Sequence, residues 1–170
     1  MGYTGTARKP DREGVQRAAL IAVLAVTSLA LAGSALAGAP TKGQFISRGD
    51  ALCSNVQREL LPVRRQAVAA KSLPESEQWA AVTRIWTAQI RIQGRFNARF
   101  RAIGVPSGDS VARGLVAGLG RGLSLARRVR DGFATRDQYE LAKALPAYVH
   151  FTTALNRRVV AYGFRVCGRS

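Results

Sequence analysis

The chain contains only two cysteines, Cys53 and Cys167, and they lie near opposite ends of the segment that follows an N-terminal apolar run. Disulfides form and persist in oxidising compartments outside the cytoplasm. We therefore predict a Cys53–Cys167 disulfide that ties the first helix to the C-terminal tail and closes most of the domain into one loop. Two free buried thiols are the alternative.

The N-terminal region has the pattern of an export signal. Basic residues precede an uncharged run over residues 18–39, and the small residues Ala35 and Ala37 follow its most apolar part. A signal peptidase recognises this small-x-small pattern. We therefore expect residues 1–37 to be a signal peptide that is cleaved after Ala37.

The same apolar run also fits a membrane anchor. About 20 apolar residues are enough to span a bilayer, and the positively charged flank would then stay inside. In that case the protein is a single-pass membrane protein with its C-terminal domain outside. Both interpretations place residues 38–170 in the cell envelope or in the secreted fraction.

Residues 38–170 have the length of one domain with a single core. Apolar residues recur at helical spacing, and glycine, proline and capping residues interrupt them at three places. The pattern predicts helices over about 43–70, 75–103, 109–132 and 136–162. Short connections favour antiparallel neighbours. We predict an all-α fold: an antiparallel up-down four-helix bundle with a separate N-terminal apolar export or anchor helix.

Local signals predict how these helices begin. Ser72 and Glu75 have the spacing of a capping box for the second helix. Asp109 is expected to cap the third helix, and Thr135 with Gln138 to open the fourth. In the third helix, glycines spaced four apart share one face; they are Gly114, Gly118 and Gly122. We expect them to let a neighbouring backbone come close, and local flexibility is the alternative.

The two ends of the domain resemble a known group of proteins. The sequence F-I-S-R-G-D-A-L-C begins at Phe45, and Y-G-F-R-V-C-G begins at Tyr162. They resemble the motifs F-I-x-x-A-D-x-I-C and Y-G-x-x-x-C-G of small exported actinobacterial proteins of unknown function. Gly49 stands where that group usually has alanine. The resemblance implies a disulfide-linked helical domain and brings no catalytic residue with it.

Few residues carry recognisable chemistry. His150 is the only histidine, and no metal-ligand spacing surrounds it. Ser124 lies in a sequence that faintly resembles a nucleophile elbow, but it falls inside a predicted helix. Asp131, Asp137 and Glu140 fit the capping of the fourth helix better than metal binding. We predict no catalytic residue, no metal site and no cofactor, and therefore a non-enzymatic module. An enzyme with a site that the sequence does not reveal is the alternative.

The domain is strongly basic. The chain has 26 Lys and Arg and 10 Asp and Glu, of which four and two precede residue 18, so residues 38–170 carry 22 basic and 8 acidic side chains, a net charge of +14. Such a surface attracts anionic polymers and lipid headgroups. We therefore expect an anionic envelope polymer, a lipid surface or a protein as the partner. The sequence leaves the oligomeric state open.

A stripe of arginines on the second helix is the predicted anion-binding site. At 100° per residue, these side chains share one side of the helix, opposite its aromatic and aliphatic side. We call them the arginine stripe; they are Arg84, Arg91, Arg95 and Arg99. Arg127, Arg128 and Arg130 are possible additions. Aromatic residues that stack on bases do not interleave with the stripe, which argues against nucleic acid. An ordinary solvated face is the alternative.

Overall fold

Four α-helices and no strand make up residues 38–169, which are the part of the chain that the computed structural model describes. They are α1 (Lys42–Ala70), α2 (Glu75–Ala102), α3 (Ser110–Thr135) and α4 (Gln138–Tyr162). The all-α class predicted from the sequence is thereby confirmed. The expected N-terminal export or anchor helix lies outside the described residues. Among those residues, no helix is long and apolar enough to cross a membrane.

The boundary between α3 and α4 differs from the prediction. Thr135 is the last residue of α3, and its hydroxyl donates a hydrogen bond of 2.9 Å to the carbonyl of Asp131. Arg136 then turns the chain with a left-handed φ of 55°. Asp137 caps α4 by accepting a hydrogen bond of 2.9 Å from the amide of Glu140. The predicted opening of α4 at Thr135 is therefore wrong, because α3 continues until a residue adopts the left-handed conformation.

The predicted capping box of α2 is also wrong. Pro74 occupies the N-cap position and has no side-chain cap. Ser72 belongs to the preceding turn, where its amide donates to the carbonyl of Ala69. A capping box occurs instead at α1, where Thr41 and Gln44 exchange hydrogen bonds of 2.9 and 3.2 Å. No capping box was predicted at α1.

Two other local predictions are confirmed. Asp109 caps α3 by accepting a hydrogen bond of 2.8 Å from the amide of Ala112. The glycine face of α3 packs against α4: a Cβ on Gly118 would lie 2.8 Å from the side chain of Leu155. Gly122 is buried, and a Cβ there would lie 3.6 Å from Phe151.

Each helix packs against the next one along the chain, whereas the backbones of α1 and α4 stay further apart. The C-terminal segment, residues 163–169, contacts both instead. Its amides bond to Asp50 of α1, and Gly168 packs against Asn156 of α4. The side chains of α1 and α4 meet at one end of the bundle, where the rings of Phe45 and Tyr162 are 6.0 Å apart.

The best-packed part of the core lies at that end. Phe45 is fully buried, and its ring meets Phe100 at 5.4 Å and Phe164 at 5.7 Å in edge-to-face contacts. Such contacts add about 0.5–1.5 kcal/mol per pair beyond burial alone. Because Phe164 comes after the last helix, the C-terminal segment is part of the core.

Candidate functional site

The predicted disulfide is present. Cys53 of α1 and Cys167 of the C-terminal segment are bonded, with their Cα atoms 5.3 Å apart, within the range that disulfides require. The bond closes a loop with a sequence separation of 114 residues. It therefore fixes the C-terminal segment alongside the first half of α1.

Asp50 holds the same segment by a second set of bonds. One carboxylate oxygen accepts hydrogen bonds from the amides of Val166 (2.9 Å) and Cys167 (3.0 Å), and the other from the amide of Arg165 (2.9 Å). We call these three amides, Asp50 and the disulfide the C-terminal clasp. Asp50 belongs to the motif that begins at Phe45, but the motif predicted no role for it. Its position three residues before Cys53 was the signal that could have identified it.

The clasp changes the ionisation of Asp50. Partial burial on its own raises the pKa of this carboxyl group, but the backbone hydrogen bonds from Cys167, Arg165 and Val166 outweigh it. The net effect is a pKa below the ordinary value, because all three amides stabilise the charged form. Asp50 is therefore a carboxylate at neutral pH and serves as an anchor for the backbone.

Gly49 is placed where the aromatic core leaves no room for a side chain. A Cβ on Gly49 would lie 2.5 Å from Phe164 and 2.9 Å from Phe100. Real Cβ contacts essentially never come closer than 3.0 Å. The glycine at this position of the motif is thus matched to the large rings packed against it.

A second carboxylate links α3 to the end of α4. Asp109 accepts a short hydrogen bond from the hydroxyl of Tyr162 with its second oxygen. Burial, together with this hydrogen bond and the charge of Asp109, raises the pKa of Tyr162 to about 12. Tyr162 therefore stays protonated and donates to Asp109 throughout the physiological range.

All four residues of the arginine stripe are exposed. Two of them are paired: Glu59 of α1 lies 2.6 Å from Arg95 and 3.7 Å from Arg99. The hydrogen bond from Arg95 holds the pKa of Glu59 below its ordinary value. Arg84 and Arg91 form no ion pair within the described residues. The stripe therefore has one half that is partly neutralised and one half that is not.

The three arginines of α3 that would extend the arginine stripe are also partly neutralised. Arg128 pairs with Glu140 at 2.6 Å, and Arg130 with Asp131 at 2.5 Å. Arg127 is exposed and forms no ion pair in the described part of the chain.

A groove opens where α1 and α4 fail to pack on each other. It has a volume of about 200 Å³, and residues of all four helices line it, with the C-terminal clasp at one end. We call it the α1–α4 groove. Most of its lining is apolar and includes Val56, Leu60, Phe96, Leu119, Leu123 and Leu155. This groove was not predicted from the sequence.

The polar groups of the groove are mostly neutral. The hydroxyl of Tyr148 accepts hydrogen bonds from the side-chain amides of Gln89 (3.1 Å) and Gln93 (3.3 Å). The side-chain amide of Asn97, a buried polar residue, donates to the carbonyl of Leu119 at 3.0 Å. Arg64 is the one charged side chain of the lining, and no carboxylate contributes to it.

The described residues offer little catalytic machinery. His150 is exposed on α4, and no three His, Cys, Asp or Glu residues of the described chain come together as metal ligands. No family model matches the chain, and neither a curated protein nor a solved structure matches it. Function must therefore be inferred from the surface, the clasp and the groove.

Proposed function

We propose that this chain is exported and that residues 38–170 form a non-enzymatic, basic helical domain that binds an anionic surface of the cell envelope. Either residues 1–37 are a signal peptide that is cleaved after Ala37, or the apolar run over residues 18–39 is retained as an anchor. The helices run up and down in antiparallel order. The partner is an anionic polymer or a layer of lipid headgroups.

The observation that supports this proposal is the scarcity of neutralised charge. Of the 22 basic residues after residue 37, four form ion pairs within the described chain: Arg95, Arg99, Arg128 and Arg130. The rest leave a surface with a strong excess of positive charge. In water such a surface draws anionic polymers towards it, and the attraction extends over about one Debye length, about 8 Å at physiological salt.

The arginine stripe supplies the contact surface in this proposal, and its unpaired half contributes most. Replacing Arg84 and Arg91 with glutamine is expected to weaken binding of the full chain to phosphatidylglycerol vesicles about 30-fold, since each arginine near an anionic surface contributes about 1 kcal/mol. Replacing Arg95, Arg99 and Glu59 together with glutamine should have a smaller effect, because this paired half of the stripe carries a net charge of only +1. Vesicle co-sedimentation at low and high salt measures both.

A matched control distinguishes direct contact by the arginine stripe from an effect of the net charge of the domain. Arg157 and Arg158 are exposed on α4, so R157Q/R158Q removes the same charge away from the stripe. The N-terminal segment is identical in every variant, and differences between variants therefore report on the domain. Equal losses in the α2 and α4 variants would contradict a role for the stripe. Binding that does not respond to salt would contradict the proposal as a whole.

A further inference from the structure

The geometry points to the α1–α4 groove as a binding site for a single-chain anionic amphiphile, a molecule with one acyl chain and a carboxylate or phosphate head. This site lies between α1 and α4 and does not depend on the arginine stripe of α2. It therefore adds a ligand to the domain, and the two proposals can fail separately.

The groove has the polarity of an acyl-chain site. The side chains that line its wall come from every helix and are largely aliphatic or aromatic. Along α1 it extends from Cys53 to Arg64, about 16 Å at 1.5 Å per residue. The C-terminal clasp closes the Cys53 end, so a bound chain would have to point its methyl end towards the disulfide.

The volume of the groove indicates whether it can hold a ligand with one acyl chain or with two. A cavity of about 150 Å³ lined by apolar side chains holds one benzene molecule, and drug-sized ligands need about 300–1,000 Å³. At about 200 Å³ the groove fits one acyl chain, with part of that chain left outside. A two-chain phospholipid does not fit.

The charge at the open end specifies an anionic head. Arg64 lies at the end opposite the clasp, and the lining holds no carboxylate to neutralise it. The hydroxyl of Tyr148 accepts from two amides, and its own proton has no acceptor among the described residues. Either group could donate a hydrogen bond to a carboxylate or phosphate oxygen. A cationic or zwitterionic head would face an unpaired arginine instead.

The flanks of the groove are also apolar. Leu61 and Val68 continue the groove-facing side of α1, because they lie four residues after Gln57 and Arg64, two residues of the lining. Leu145 and Val149 continue the lining of α4 in the same way, seven residues before Thr152 and Asn156. All four are exposed, by 38 to 67%.

The test is calorimetric titration of the full chain with dodecanoate below its critical micelle concentration. We expect saturable binding with one molecule per chain. Octanoate and decanoate should bind more weakly, by about fourfold for each methylene that leaves the groove. Chains longer than the groove should gain little. Dodecyltrimethylammonium should bind more weakly than dodecanoate, by at least about tenfold, because its head would face Arg64.

Two substitutions in α1 locate the site. R64Q should weaken dodecanoate binding about fivefold, the scale of one partly exposed charge pair. Its neighbour Arg65 is exposed outside the groove, and R65Q should change nothing. Gln57 lines the groove and makes no side-chain hydrogen bond in the described chain, so Q57W should fill the groove and abolish binding without unfolding the domain. Q66W, on the exposed side of α1, controls for an added tryptophan.

Vesicle binding separates this inference from the proposed function. Q57W should bind phosphatidylglycerol vesicles as the parent does, because the arginine stripe is intact. The inference is overturned if dodecanoate shows no saturable binding, if R64Q and R65Q behave alike, or if the cationic amphiphile binds as tightly. Self-association that Q57W abolishes, without dodecanoate binding in the parent, would overturn it too and assign the groove to a second copy of the chain.

Discussion

At the scale of single residues, Asp50 has the clearest structural role, because one carboxylate accepts three backbone hydrogen bonds. An asparagine side chain at this position would offer one oxygen and place an amide group against an N–H donor. We expect D50N to lower the free energy of unfolding at neutral pH by about 2 kcal/mol, the scale of hydrogen bonds to a charged acceptor. Urea denaturation of parent and variant measures the difference.

The pH dependence of that difference follows from the lowered pKa of Asp50. Its contribution is complete above the ordinary value of 3.8 and is lost as the pH falls through the lower, folded-state pKa. The gap between parent and D50N should therefore close well below about pH 4. E59Q removes a half-buried carboxylate from the surface of the same helix and should have the smaller effect at neutral pH. A gap that persists in strong acid would contradict the ionic role.

Gly49 provides a second prediction, in which two effects oppose each other. Alanine would raise helix propensity by up to about 1 kcal/mol, but its Cβ would overlap the rings of Phe164 and Phe100. Overpacking of a filled core costs about 1–3 kcal/mol. We expect overpacking to prevail, so that G49A lowers the melting temperature.

Gly94 is the matched control. It lies inside α2, and a Cβ there would meet nothing within 4 Å. G94A should therefore raise the melting temperature, and G49A should regain stability when Phe164 is also reduced to leucine. If both alanine variants stabilise the protein, the rings beside Gly49 can move aside and the fit is looser than the contacts indicate.

At the scale of helices, the sequence specified the elements better than their ends. Apolar periodicity and the Gly104–Pro106 break placed α2 within a residue, because both act locally. N-caps depend on which residue takes an extended backbone, and several polar residues compete for that place. Thr41 does so, with φ −68° and ψ 161°, whereas Ser72 stays in a turn. Spacing alone could not distinguish them.

Of the candidate sites, the disulfide could be predicted from the sequence and the groove could not. The disulfide followed from two cysteines that had only each other as partners. The groove could not be predicted, because it exists where α1 and α4 stay apart and residues 163–169 contact both helices. The packing of Phe164 beside Gly49 and the hydrogen bond from the amide of Arg165 to Asp50 are long-range contacts. The periodicity of the sequence does not predict such contacts.

At the scale of the whole molecule, the C-terminal segment joins the two ends of the domain into one folding unit. It supplies Phe164 to the core and Cys167 to the disulfide. For a loop with a separation of 114 residues, the chain-entropy model assigns the disulfide about 4–5 kcal/mol. Domains of this size are stable by about 5–15 kcal/mol in total, so the bond supplies a large share.

Loss of the disulfide should therefore bring the domain close to unfolding without rearranging it. We expect C53A/C167A to lose about 4 kcal/mol in urea denaturation while its helical circular dichroism stays that of the parent. F164A in the oxidised protein should lose about 3–5 kcal/mol. Combining the two should leave little folded protein, since the sum of the losses reaches the total stability of a typical domain. A triple variant that still unfolds cooperatively at high urea would mean that the helices hold together without the C-terminal segment. A C53A/C167A variant as stable as the parent would show that Asp50 and the packing of Phe164 hold the segment without the bond.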